Sequence, residues 1–264
     1  TISGLYASGA DRVGLFGLTV GAAVKDLKIT NSYFASTGQW IGSFIGQGSG
    51  TLTNLYSDAI VTSSGAMIGG IVGANDDANK QDLKMESCWF DGKLTCTHST
   101  GTNSGAFMGG MVGHLSVGTN TLNNCLVTGN IDVSAFVPSG GGNIKTGGFI
   151  GVQNTENGTT VTNSAFLGTF TAGTNAGKVG LYALAGDSSQ RTMNGSALYA
   201  MVDYNMIAGG YSSVNAGYSI TYTNLGVSSF PIGSDASTRM PALDWENVWQ
   251  VREGTLPGLK ALLE

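Results

Sequence analysis

The sequence predicts an all-β chain: a right-handed parallel β-helix of about six to eight rungs with a C-terminal cap. Three observations lead there. A Gly-rich hexapeptide recurs six times at steps of 27 to 40 residues, a second unit with its own corner residue follows each copy, and no apolar stripe of helical period bounded by caps lies between residues 1 and 230. Such steps are the mark of a repeat array, in which one unit cannot bury its apolar face until a neighbour stacks on it.

The hexapeptides read Arg12–Gly17, Ile41–Gly46, Ile68–Gly73, Met108–Gly113, Thr146–Gly151 and Lys178–Ala183. Paired glycines such as Gly69-Gly70 and Gly109-Gly110 let the backbone approach a neighbouring rung where a Cβ would intrude. The second units are Ile29–Phe34, Leu52–Ser57, Met85–Phe90, Leu122–Val127, Val161–Phe166 and Met193–Leu198. Their third column holds Asn31, Asn54, Ser87, Asn124, Asn163 and Gly195, types that tolerate left-handed backbone or bond to it locally, so it predicts a corner. A third arm, seen in Gly92–Cys96, Gly129–Val133 and Gly168–Ala172, alternates with period two and predicts a strand with one buried face.

Residues 1–203 form the array. Residues 204–264 carry degenerate last rungs and a cap of the same domain, because Ala242–Val251 supplies two tryptophans and several aliphatics that a terminal repeat needs to cover the exposed core.

Glycine makes up 42 of 264 residues and charged residues 11%, less than half of the roughly 25% usual in soluble domains. With 41% apolar residues the chain has enough to fill a core, so this is not the composition of disorder. A net charge of −5 with scattered cations excludes nucleic acid and anionic membrane as expected partners. No apolar run reaches the length of a membrane span, so no insertion is expected in this segment. Cys88, Cys96 and Cys125 have no metal-ligand spacing and are expected as free thiols, the first and third in one inward column.

The hexapeptides and the Asn-bearing second units resemble the GLUG repeat, a Gly-Leu/Ile-Val-Gly-rich motif of bacterial secreted and surface proteins. The resemblance spans roughly residues 1 to 203, and Trp249 with Leu256-Pro257-Gly258-Leu259 looks like the ending that follows such arrays. Departures are Ser43, Ala183, Ser87 and Gly195. The resemblance implies an extracellular β-helical module of the kind found in adhesin-like proteins and in accessory regions of IgA-type proteases. It implies no chemistry.

No catalytic constellation emerges. Asp58, Glu86, Asp91, Asp132 and Lys93 fall in different columns or distant rungs, no nucleophile elbow is present, and neither His98 nor His114, which is expected at a turn, has an orienting acid. Asp76, Asp77 and Asp82 form the acidic cluster of an inserted loop, a candidate calcium site whose spacing matches no EF-hand. Otherwise no cofactor is expected. Because side chains alternate across a strand, Tyr33, Tyr56, Trp89 and Leu126 should face outward in a row, a strip that sugar rings or an apolar partner could use.

The sequence therefore predicts a non-enzymatic cell-surface or extracellular adhesion module presenting a side face and loops to a glycan or protein ligand. The alternatives are a structural stalk, surface-layer or filament building block that associates end to end, and a polysaccharide lyase or hydrolase.

Overall fold

The computed structural model describes residues 1–76, 81–97, 106–136, 144–155, 157–173, 179–182, 184–187, 193–200, 218–226 and 233–263. Their secondary structure is almost wholly β. Each repeat pairs in parallel with the one before and the one after, and the one antiparallel pair among the described residues joins Trp249–Gln250 to Gly258–Leu259. Parallel pairing with both neighbours explains the run of inward apolar residues at matching positions: Leu52, Met85, Leu122 and Val161 form one buried column, and Phe34, Val61, Leu94 and Ile131 another. Burying each such side chain contributes about 1.5–3 kcal/mol.

The sheet arrangement corrects the β-helix expected from the repeats. That fold would divide into three faces with one short strand per rung on each. Instead Ile45–Ser57 and Thr159–Phe166 run unbroken through their corners, and with Leu83–Glu86, Asn120–Asn123, Trp89–Phe90 and Leu126–Val127 they close a ring of six parallel strands, a barrel in its connectivity. This ring lies within a 14-stranded sheet, beside parallel sheets of six and five strands. The physical reason lies at Asn54 and Asn163. Each takes a positive φ, 53° and 48°, as do Ser87 and Asn124 at 56° and 49°, but of these four only at Asn54 and Asn163 does the strand continue through the turn.

The corner column is confirmed at Asn54, Ser87, Asn124 and Asn163, and is corrected at both ends. Val24 pairs with Leu52 and Leu27 with Leu55, so the first corner is Asp26, φ 54°, and the second unit of that repeat is Val24–Ile29. Asn31, also left-handed, belongs to the next corner along the chain. At the far end Val161 pairs with Gly195, which makes Ala197, φ 52°, the corner residue. The glycine column is likewise shifted in its last copy: Gly17, Gly46, Gly73, Gly113 and Gly151 are in register and Gly186 follows, while Ala183 lies outside the described residues. A Cβ on Gly113 would come within 2.6 Å of the Gly73 carbonyl oxygen, a distance no side chain tolerates.

The C-terminal segment is corrected too. It lies along the side of the repeats, where Ala236, Met240, Leu243, Trp249, Leu259 and Leu262 pack on Trp89, Leu126, Ala165, Leu167 and Tyr199 in a second apolar cluster. Its polar ties are equally lateral: the Asp244 amide donates to Asn124 Oδ1 at 3.0 Å, the Ala242 amide to the Tyr199 hydroxyl at 3.0 Å, and Lys28 Nζ to the Leu262 carbonyl at 3.3 Å. Cys88, Cys96 and Cys125 are buried free thiols, and burial holds the Cys125 thiol well above its ordinary pKa. Among the described residues no helix is long and apolar enough to cross a membrane.

Candidate functional site

Two outward columns carry the residues singled out in the sequence. The first is Lys28, Tyr56, Trp89, Leu126, Ala165 and Tyr199, in register along the 14-stranded sheet. Alternation along each strand points these side chains away from the inner core, but the C-terminal segment covers them. Trp89 is left 7% exposed and Leu126 0%. Tyr56, half-buried, meets Trp89 edge to face at 4.8 Å. The exposed strip expected of Tyr56, Trp89 and Leu126 is thus an internal seam.

Tyr33 is not part of that column. It pairs with Tyr6 on one side and Ile60 on the other, and the column continues through Lys93, Asn130 and Thr169 on the six-stranded sheet. This face is open. The Tyr6 and Tyr33 rings stack at 5.6 Å with planes 11° apart, Tyr6 is 72% exposed and Ile60 44%. Beyond them Lys93 pairs with Asp132 at 2.9 Å, and Asn130 Nδ2 donates to the hydroxyls of Thr169 and Thr171. An aromatic platform therefore leads onto a row of fixed polar groups. Tyr6 went unrecognised in the sequence because the first second unit was aligned out of register.

Where the covered column ends, at Lys28 and Tyr56, a cleft of roughly 200 Å³ opens between the repeats and the C-terminal segment. Lys28, Thr30, Tyr56, Asp58, Trp89, Arg252 and Leu259 are among its lining residues. The Lys28 ammonium lies 5.8 Å from the centre of the Tyr56 ring. Asp58 accepts the Asn31 amide through Oδ1 at 2.7 Å, while the Arg252 guanidinium, an exposed group, makes no hydrogen bond or ion pair with the described residues. Thr30 and Asp58 precede Tyr33 and Ile60 by three and two residues, so cleft and open face adjoin around one corner.

Asp58 and Asp91 are also brought together: the Asp91 amide donates to Ser57 at 2.8 Å, which places the two carboxylates at matching positions of adjacent repeats. This corrects the expectation from the sequence, which places them in different columns or on distant rungs. Both oxygens of Asp91 are engaged, one by the Thr128 hydroxyl and the other by the Tyr56 hydroxyl at 3.3 Å, and Thr128 in turn accepts the Trp89 indole N–H at 2.8 Å. Burial pushes the Asp91 carboxyl pKa up. The Tyr56 phenol is held far above its ordinary range by burial and by Asp91 and Asp58, so it stays protonated as a donor. This is a locked network that positions Tyr56 and Trp89, with Asp58 left facing the cleft.

The acidic loop residues do not gather. Asp76 accepts Trp40 Nε1 at 2.8 Å and Gln47 Nε2 at 2.6 Å, in a network where Arg12 Nε donates to Gln47 Oε1 and its guanidinium lies 5.4 Å over the Trp40 ring. Asp82 accepts the Thr119 amide at 2.8 Å. Asp77 lies outside the described residues, as does His98. Among the described residues no group of three or more His, Cys, Asp or Glu side chains is placed to hold a metal ion. His114 is in the strand Val112–Leu115 rather than at a turn; its ring is buried beside Phe107, and burial lowers its pKa.

The described residues define the class: an all-β repeat protein of stacked parallel strands with a lateral C-terminal segment. No family model and no curated protein matches the chain. Among solved structures it is similar to a putative immunoglobulin A1 protease from Bacteroides ovatus, with a TM-score of 0.58 at 17% identity, over 98% of this chain and 75% of that one. At that identity the likeness is one of fold.

Proposed function

We propose that the protein is a non-enzymatic adhesion module of the cell surface or extracellular space, a GLUG-type bacterial repeat protein that binds a glycan. The single observation that supports this reading is the open face carrying the stacked Tyr6–Tyr33 pair, continued by Ile60 and by the Lys93–Asp132 and Asn130–Thr169 groups. Flat aromatic rings take the apolar faces of sugars, while fixed donors and acceptors beside them fix orientation. The locked state of Asp91 agrees with a binding role, since a carboxylate with both oxygens engaged is poorly placed to move protons. The test is a glycan array and pull-down with the wild type and a Tyr6→Ala/Tyr33→Ala double variant. Glycans held by the wild type and lost by the variant are expected; an empty array, or equal binding by both, would overturn the reading.

A second reading, the stalk or filament building block, is favoured by a different observation. Among the described residues no strand pairs with the other edge of Phe16–Lys25, and Phe16, Leu18 and Val20 are 39%, 49% and 47% exposed along it. Such an edge is a template for another chain. Concentration-dependent assemblies in native mass spectrometry, abolished by Leu18→Lys, would favour this reading over the first.

A further inference from the structure

We infer that the cleft between Lys28 and Arg252 receives a carboxylate-bearing sugar, such as a uronic acid residue of the bound glycan. The inference rests on the glycan reading above and names the ligand class. The charges come first. In a chain of net charge −5, two cations border one cleft, and neither forms an ion pair with a described residue. Lys28 uses one donor on the Leu262 carbonyl, which leaves two, and the fork of Arg252 is open. A planar singly charged carboxylate matches that fork in two parallel hydrogen bonds.

The remaining walls suit the rest of a sugar ring. Tyr56 and Trp89 form an aromatic side, Leu259, Leu262 and Leu263 an apolar one, and Asp58 keeps one carboxylate oxygen to accept a hydroxyl. The cleft is smaller than the roughly 300–1,000 Å³ that enclose a drug-sized molecule, which is room for one monosaccharide. Asp58 and the nearby Asp91 disfavour a doubly charged phosphate in the same place. The corner shared with Tyr33 and Ile60 lets a chain held by its acidic residue continue over the open face.

The test is calorimetric titration of the full chain with a tetragalacturonate, its fully methyl-esterified form and a sulfated neutral tetrasaccharide. The acid is expected to bind at least about tenfold more tightly than the ester, the size of effect that charge-assisted hydrogen bonds give. Arg252→Ala should bring it down to the ester's level without lowering the melting temperature. Lys28→Met should do the same while lowering the melting temperature somewhat through loss of the tie to Leu262, and Arg252→Lys should restore part of the difference. Equal binding of acid and ester, equal binding of the sulfated sugar, or full affinity in Arg252→Ala would overturn the inference. If the ester still binds in a Tyr6- and Tyr33-dependent way, the glycan reading survives alone. If no saccharide binds, both fall.

Discussion

The indole of Trp89 meets that of Trp249 edge to face, with ring centroids 6.0 Å apart and planes inclined by 70°. One ring belongs to the repeats and the other to the lateral segment, and Trp249 is completely buried. The contact therefore measures how firmly the segment is held. Trp249→Ala should cost about 3–5 kcal/mol and shift Trp89 fluorescence to the red in denaturant titrations. The Trp249 indole N–H is buried with no partner among the described residues, so Trp249→Phe, which removes that donor and keeps an aromatic ring, should cost far less.

Asp91 gives a pH signature. Its folded carboxyl pKa lies above the ordinary 3.8, because burial disfavours the charge. The folded state thus binds the proton more readily than the unfolded one. The contribution to stability is full below the unfolded pKa and is lost as pH rises through the folded value. Relative to wild type, Asp91→Asn should be most favourable at neutral pH, and its relative stability should decline as pH falls towards 3.8. A difference that is flat across paired urea titrations from pH 7 to 4 would contradict this.

Ala197 is an alanine in the left-handed region, φ 52°, where the column otherwise has Asn, Asp or Ser. Such a conformation costs an L-residue roughly 1–2 kcal/mol, partly offset by the greater chain entropy of glycine. Ala197→Gly should raise thermal stability by a few tenths to about 1 kcal/mol, and Ala197→Val should lower it. Calorimetric melting of the pair decides, since the two effects have opposite sign.

Gly110 faces the reverse constraint. A Cβ there would lie 2.2 Å from the Gly148 carbonyl oxygen and 2.7 Å from a Val127 methyl. The first neighbour is backbone, held by pairing with the next repeat, and cannot swing aside. Gly110→Val should reach or exceed the upper end of the usual overpacking cost, about 3 kcal/mol, as read from the urea midpoint.

The strands and their stacking order were legible because a glycine that must meet a carbonyl, and a corner that must turn left, leave residue types behind at fixed steps. Register was legible only where those types are unambiguous. Asp26 supports a left-handed corner much as Asn54 does, yet the Asn31 unit looked the better match and displaced the first copy. The ring of strands was not legible at all: the sequence shows that Asn54 and Asn163 turn the chain, but nothing in it says whether hydrogen bonding continues through the turn. The outward direction of Tyr56, Trp89 and Leu126 follows from period two. Their covering does not, because contacts such as the Asp244 amide on Asn124, 120 residues away, have no local signature. Tyr6, Lys28 and Arg252 carry no motif and gain meaning only from neighbours distant in the chain.

The lateral segment also sets an order of events. Lys28 leaves the ribosome 234 positions before Leu262, whose carbonyl it comes to meet. Until residues 236–262 emerge, the indole of Trp89 and the side chains of Leu126 and Tyr199 lack the cover these residues give them. A nascent chain stalled before Trp249 would display a sticky apolar seam to chaperones and to other chains. The seam is thus closed only once the lateral segment has been made, by the same tryptophan that holds the finished structure shut.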